Sequence, residues 1–277
     1  MDSHTFLFLL LSLLLLLSGR VLWSTVSLVL SFLTKFIAVL FLPVVALFKK
    51  ENRMLVGLSF TVLVAALYLP YADVGMRLFK GLGAYADKWQ FNSSLFALLF
   101  TGVKAVLPRS WVVRLMIEPY GMSADAATLA SRTTDLALLV SKGVVALVFA
   151  GIFLTYVVRL KKDIVREGEV WVFRLGLILL GTFFLLTPTV YPWYLTWLVA
   201  FFAVAPSRAW VLLTGLVGLA YWVHIDFART GRWEVPAFIK YLEYLPFFAL
   251  LLFDDLRIRL RRFRAPTVRL EFRQSSR

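Results

Sequence analysis

The chain has 277 residues, of which 61% are hydrophobic and only 17% charged, and its mean hydropathy is +0.82. Soluble domains hold about 45–50% apolar and about 25% charged residues, so a single water-solvated core is excluded and the chain reads as an integral membrane protein. Thirty Lys and Arg against sixteen Asp and Glu give a net charge of +14. Because these basic residues flank apolar runs, they imply anionic lipid headgroups and not nucleic acid.

Thr5 to Leu17 resembles a signal-peptide core, but Asp2 precedes it, no Lys or Arg does, and no small-residue cleavage site follows. It reads as a retained short membrane helix. Val21–Phe48 is apolar except for Lys35 and a few hydroxyls. At ~1.5 Å per residue it would span ~42 Å, against a hydrocarbon core of ~30 Å. Two half-length helices meeting near Lys35 fit better, and backbone broken at membrane depth is tolerated only against protein or a water-filled cavity. The further apolar runs are Met54–Tyr71, Ser93–Leu107, Asp135–Val158, Val170–Leu186, Tyr194–Val204, Ala209–Ile225 and Phe238–Phe253. Between them, Val74–Trp89 reads as an amphipathic interfacial helix and Pro108–Thr134 as mixed and interfacial. The expected fold is all-α, a polytopic transmembrane bundle of about nine apolar segments including short or broken helices. It occupies residues 1–253, with a basic tail over residues 254–277 in which eight of 24 residues are arginine.

Basic loops stay cytoplasmic. The Lys49–Arg53 cluster, Arg159–Arg166, Arg208 and the arginine tail then lie inside, while Ala72–Thr134, Thr187–Trp193 and Asp226–Ala237 lie outside. The uncommon residues gather in the outside loops. Thr187–Trp197, TPTVYPWYLTW, sets Pro188 and Pro192 among four aromatic residues at a helix break. It serves either as an interfacial aromatic belt or as the wall of a sugar or lipid-phosphate pocket. Ala84–Asn92 offers Tyr85, Asp87, Lys88, Trp89 and Asn92, which suit carbohydrate as well as they suit an interfacial helix. Arg229 and Arg232 stand in a loop where the positive-inside tendency disfavours them; they bind phosphate or pair with Asp226 and Glu234. Lys35 and Lys142 lie within apolar runs, where an ionisable group is costly and by default a functional candidate; Lys142, near a helix start, can snorkel.

Cysteine is absent and His4 and His224 are far apart in sequence, which excludes thiolate chemistry and argues against a His-rich metal site; no cofactor is expected, with a divalent metal left open. No Walker loop, dinucleotide fingerprint, nucleophile elbow or H-E-x-x-H helix occurs.

Four segments, SFLTKFIAVLFLP (Ser31–Pro43), AYADKWQFNSSLF (Ala84–Phe96), TPTVYPWYLTW (Thr187–Trp197) and Tyr244–Pro246, occur in the order in which similar segments occur in the GT-C superfamily of membrane glycosyltransferases. The chain resembles bacterial mannosyltransferase-like members that use polyprenyl-phosphate sugars. The resemblance implies transfer of a hexosyl, perhaps mannosyl, group from such a donor to a glycan or lipid acceptor at the outer face of the plasma (inner) membrane. It implies a multi-pass chain with a cytoplasmic C-terminus. Lys35, Arg229 and Arg232 would meet the donor phosphate. Trp89, Asn92, Tyr191, Pro192, Trp193 and Tyr194 would shape the sugar and lipid pocket, and Asp87 would be the base. Members of that superfamily carry a catalytic acid in an early extracytoplasmic loop and have more spans. The chain is therefore expected to match the C-terminal half of such an enzyme, as a truncated gene model, as a split gene whose second chain supplies the rest, or as a remnant. The alternatives are a non-catalytic partner that binds lipid-linked sugar and, ranked last for want of an inverted repeat, a transporter.

Overall fold

The computed structural model describes residues 2–48, 50–83 and 89–264. Among these residues the chain is helical, its β structure limited to one isolated parallel bridge between Phe91 and Thr189. Helices α1 (Asp2–Leu17) and α2 (Val21–Thr34) form a hairpin, turned at Gly19 with φ 76°, a left-handed cap that glycine adopts without strain. The hydroxyls that interrupt both apolar runs join the two helices. Ser12 Oγ donates to the Ser24 carbonyl at 2.8 Å, Ser27 Oγ to Phe8 at 2.9 Å and Ser31 Oγ to Thr5 at 2.7 Å. The Thr5 and Thr34 hydroxyls meet at 2.8 Å. Small hydroxyl residues allow close helix approach, and each such bond contributes about 0.6–2 kcal/mol in a membrane.

The break expected near Lys35 falls at that residue. Lys35 is extended (φ −154°, ψ 128°), and the chain resumes as a 3₁₀ turn, Phe36–Phe41, and then α3 (Leu42–Phe48). Pro43, in the first turn of α3, needs no backbone donor there.

α4 (Arg53–Tyr68) passes directly into a 3₁₀ stretch, Leu69–Phe79, bent at Gly75 (φ 56°, ψ −141°). The helical run therefore extends over Arg53–Gly83. The separate interfacial helix expected from Val74 is instead a bent continuation of this run, because Pro70 sits in the first turn of the 3₁₀ stretch and Gly75 absorbs the kink. α5 (Leu95–Val106) and the run Arg109–Tyr120, which opens with α6 (Arg109–Val112), meet at 97°. Pro108 forces Leu107 out of helix (ψ 119°) and makes this bend.

α7 (Ala126–Glu167) is 42 residues long and begins nine residues before the expected span at Asp135. Asp125 caps it. Its carboxylate accepts from Ser123 Oγ at 2.5 Å, from the Thr128 amide at 2.8 Å and from Thr128 Oγ1 at 3.0 Å. These bonds, that from Ser123 foremost, hold the carboxyl down at about 2. A depressed pKa means the cap is at full strength above the ordinary carboxylate value of 3.8 and weakens as pH falls through about 2. Asp125→Ala is expected to raise amide exchange over the first turn of α7 while Asp125→Asn, itself a good cap, does not. In the wild type the same turn is expected to lose protection between pH 4 and pH 2.

α8 (Val170–Leu186) matches its expected range, and α9 (Thr196–Val204), α10 (Arg208–Leu216), α11 (Trp222–Thr230) and α12 (Ala237–Arg264) follow. α12 runs through the expected tail boundary at Asp254 without a break, and residues 265–277 lie outside the described residues. Arg208, at the start of α10, is ion-paired with Asp254 on α12. Among the described residues three helices are long and apolar enough to cross a membrane: Arg53–Gly83, Ala126–Leu160 and Arg208–Thr230. The bent pair around Pro108 makes a fourth if it is one span. The remaining apolar helices, including α8, are shorter.

α8 is the centre of the main core. Trp171, Val172, Leu175, Leu179, Leu180 and Phe184 are buried along it, in one cluster with residues of α1–α4, α7, α9, α10 and α12. Its glycines permit the close packing. A Cβ on Gly181 would lie 2.5 Å from Trp210 of α10, and one on Gly176 would overlap the Phe201 ring of α9.

Candidate functional site

Two loops that are 100 residues apart in sequence form the site. Phe91 N donates to Pro188 O at 3.0 Å, Val190 N to Phe91 O at 2.7 Å, and Thr189 Oγ1 to Trp89 O at 2.8 Å. Pro188 can accept but not donate, so the bridge ends there and does not grow into a sheet. The pairing aligns the side chains of both loops. Tyr191 stacks on Phe91 at 4.6 Å and on Trp193 at 4.4 Å, and its edge meets Trp89 at 6.2 Å. Tyr194 continues the wall, 5.6 Å from Tyr191 and 5.6 Å from Trp197. Trp89 and Trp193 remain 48% and 42% exposed, so the wall presents two indoles outward.

Lys35 lies at the inner end of this wall. Its ammonium sits 4.7 Å from the Tyr194 ring and 4.5 Å from the Trp197 ring and is ion-paired with Asp2 of α1. Cation–π contacts of this kind contribute about 0.5–2 kcal/mol each and offset the lysine's desolvation. The helix break at Lys35 therefore delivers an ammonium to the aromatic loop.

Asn92 is held from a third direction. It is 1% exposed and has a left-handed backbone (φ 48°), which asparagine adopts more readily than most residues. Its Nδ2 donates to Glu243 Oε2 at 2.7 Å, and Tyr244 OH donates to its carbonyl at 2.8 Å. Both partners are buried on α12. Phe91 joins Ala220, Val223, Val235 and Ile239 in a small second core, against which Tyr191 packs. Trp233, in the loop before α12, packs instead on His224 and Phe227.

Two clefts flank the wall. An apolar slot of about 550 Å³ runs between the broken segment after Lys35 (Phe36, Ile37, Leu40) and α7–α8, with Lys142 in its lining and Thr187 and Pro188 at its edge. A second cleft of about 710 Å³ lies between α5 and the start of α12 and includes Ser93, Arg232, Lys240 and Tyr244.

The structure thus brings Lys35, Trp89, Asn92, Tyr191, Trp193 and Tyr194 into one neighbourhood, with Pro192 opening the 3₁₀ turn Pro192–Leu195 beneath them. Arg232 lines the second cleft, which shares no lining residue with the slot, and Arg229 is exposed at the end of α11. Asp87, the proposed base, lies outside the described residues. Among the described residues no group of three His, Cys, Asp or Glu side chains is placed to hold a metal ion. Sequence reasoning missed Glu243 as an anchor, although a carboxylate inside the Phe238–Phe253 apolar run is the signal that singled out Lys35. It also missed Asp2 and Trp197 as neighbours of Lys35. No family model, curated protein or solved structure matches the chain.

Proposed function

We propose that the protein transfers a hexosyl group, mannosyl by resemblance, from a polyprenyl-phosphate donor to a glycan or lipid acceptor, or forms the donor-binding half of such an enzyme. One observation carries the reading: the apolar slot ends on the loop that bears the aromatic wall, beside the helix break that bears Lys35. A prenyl chain, a phosphate and a sugar have those three needs in that order. The slot removes prenyl surface from water, at about 25 cal/mol per Å². The ammonium compensates the phosphate, which takes the place of the Asp2 carboxylate. The faces of Tyr191, Trp193 and Trp89 stack on the sugar's CH face. In the transfer, the acceptor oxygen bonds to the anomeric carbon as the bond to the phosphate oxygen breaks. The acceptor proton passes to a carboxylate, for which Asp87 remains the candidate, and Lys35 stabilises the departing phosphate.

Membranes holding the chain are expected to transfer radiolabelled mannose from polyprenyl-phosphate mannose. Trp193→Ala is expected to reduce this at least tenfold, as loss of about 1.4 kcal/mol or more of stacking implies, with insertion unchanged. Donor binding without transfer, converted to transfer by a complementing chain, would identify the protein as the donor-binding half. Full transfer by Trp193→Ala would remove the wall from the mechanism.

A further inference from the structure

The second cleft carries a charge pattern that the glycosyl-transfer reading does not use. It is lined by Asp226, Arg232, Glu234 and Lys240 and by the apolar side chains of Ala97, Leu98, Leu245 and Phe248. Among the described residues none of the four charged side chains is in a salt bridge. Two cations and two anions in one opening, with no salt bridge among them although Glu234 and the buried Glu243 both act electrostatically on Lys240, complement a ligand bearing both signs. The loop is shaped to present them: Thr230 Oγ1 donates to Asp226 O at 2.9 Å, the Arg232 amide donates to Thr230 Oγ1 at 3.2 Å, and left-handed Gly231 (φ 70°) turns the chain back. The apolar part of the lining lies on α5 and α12, where Leu98 and Leu245 are more than 60% exposed.

We infer that this cleft binds a zwitterionic phospholipid whose headgroup joins a phosphate to a primary ammonium. Arg232 and Lys240 donate to the phosphate oxygens, and Glu234 and Asp226 accept from the ammonium. One acyl chain lies over Leu98, Leu245 and Phe248. A purely anionic lipid satisfies the cations but sets its charge against both carboxylates. A quaternary ammonium has no N–H to donate to them. The site goes beyond the glycosyl-transfer reading and stands without it, since no donor, acceptor or transfer step enters the argument.

The full chain, purified in detergent with equimolar phosphatidylethanolamine, phosphatidylglycerol and phosphatidylcholine of matched acyl chains, is to be analysed for retained lipid by mass spectrometry. Phosphatidylethanolamine is expected to be enriched about tenfold over each competitor, the factor one charge-assisted hydrogen bond supplies. Glu234→Gln is expected to remove most of the preference over phosphatidylglycerol, and Arg232→Ala to remove retention of all three. Arg109→Ala, outside the cleft, serves as the control with unchanged enrichment. These side chains are exposed, so the variants fold, as an unchanged elution volume will verify. Equal retention of the three lipids by the wild type, or enrichment untouched by both cleft variants, overturns the inference. Displacement of the lipid by millimolar free phosphoethanolamine would reassign the site to a soluble ligand and likewise overturn it. Because lipid retention is read without any transfer assay, failure of glycosyl transfer leaves this result standing, and the reverse holds too.

Discussion

Gly176→Leu is expected to be the most damaging single substitution in the bundle, abolishing a monodisperse, detergent-soluble product. Even a Cβ at this position overlaps the Phe201 ring, and Phe201 cannot yield cheaply. It is fully buried, stacked on Phe41 at 5.7 Å and tilted against Phe173 at 6.4 Å, so moving it displaces the contacts of the Phe36–Phe41 turn and of α8 together. Overpacking of a tight core costs about 1–3 kcal/mol for an added methyl or two, and a leucine adds more. Gly181→Ala is expected to have the same sign and smaller size, because it presses on Trp210, which itself packs on Phe247 of α12 at 4.9 Å. Gly143→Ala on α7 supplies the opposite case. Nothing lies within 4 Å of its Cβ, so alanine's better helix propensity is expected to add up to about 1 kcal/mol. Apparent thermal midpoints of Gly176→Ala, Gly181→Ala and Gly143→Ala in one detergent check the ordering. A Gly176→Ala midpoint equal to wild type would show that α8 and α9 are not packed this closely.

The second large effect is expected at Glu243. Glu243→Ala removes the acceptor of the Asn92 Nδ2 bond and leaves a buried amide without a partner, which costs about 1–3 kcal/mol. It also frees a residue held at φ 48° to relax to the ordinary basins, taking the Trp89–Asn92 loop with it. Loss of transfer is therefore expected to exceed the loss of thermal stability, with Trp89 and Trp193 emission shifting to the red. Glu243→Gln keeps an oxygen that accepts from Nδ2 and is expected to restore both properties nearly to wild type. An alanine variant as active as wild type would separate the aromatic wall from its α12 anchor.

The legible parts of the fold are those that hydropathy and proline dictate. α8 was delimited by its apolar run, the break at Lys35 by an excess of length over the membrane core, and the aromatic loop by Pro188 and Pro192. Less legible were features made by local caps and prolines outside the apolar runs and by polar contacts at a distance. The early start of α7 depends on Asp125, a short-range cap in a stretch whose hydropathy suggests a loop. The 97° bend falls at Pro108, where the apolar run Ser93–Leu107 is expected to give way to an interfacial stretch, but hydropathy carries no angle. At the site, Trp89, Asn92, Tyr191, Trp193 and Tyr194 were found by type and spacing. Their registration depends on Glu243 and Tyr244, more than 150 residues from Asn92, and a single sequence carries no sign of that pairing. Arg229 and Arg232 were grouped with Lys35 because all three are cations, and type alone says nothing about which cleft each lines.

The bridge between Phe91 and Thr189 and its anchor on α12 impose an order on biogenesis. Residues near 91 leave the ribosome long before residue 189, and longer still before residue 243, so the first half of the latch must wait unpaired while the four helices α5–α8 are synthesised. Nascent chains arrested ahead of α12 would hold the helices but not the finished chamber, which makes assembly of the site, and not insertion of its parts, the last event in the protein's maturation.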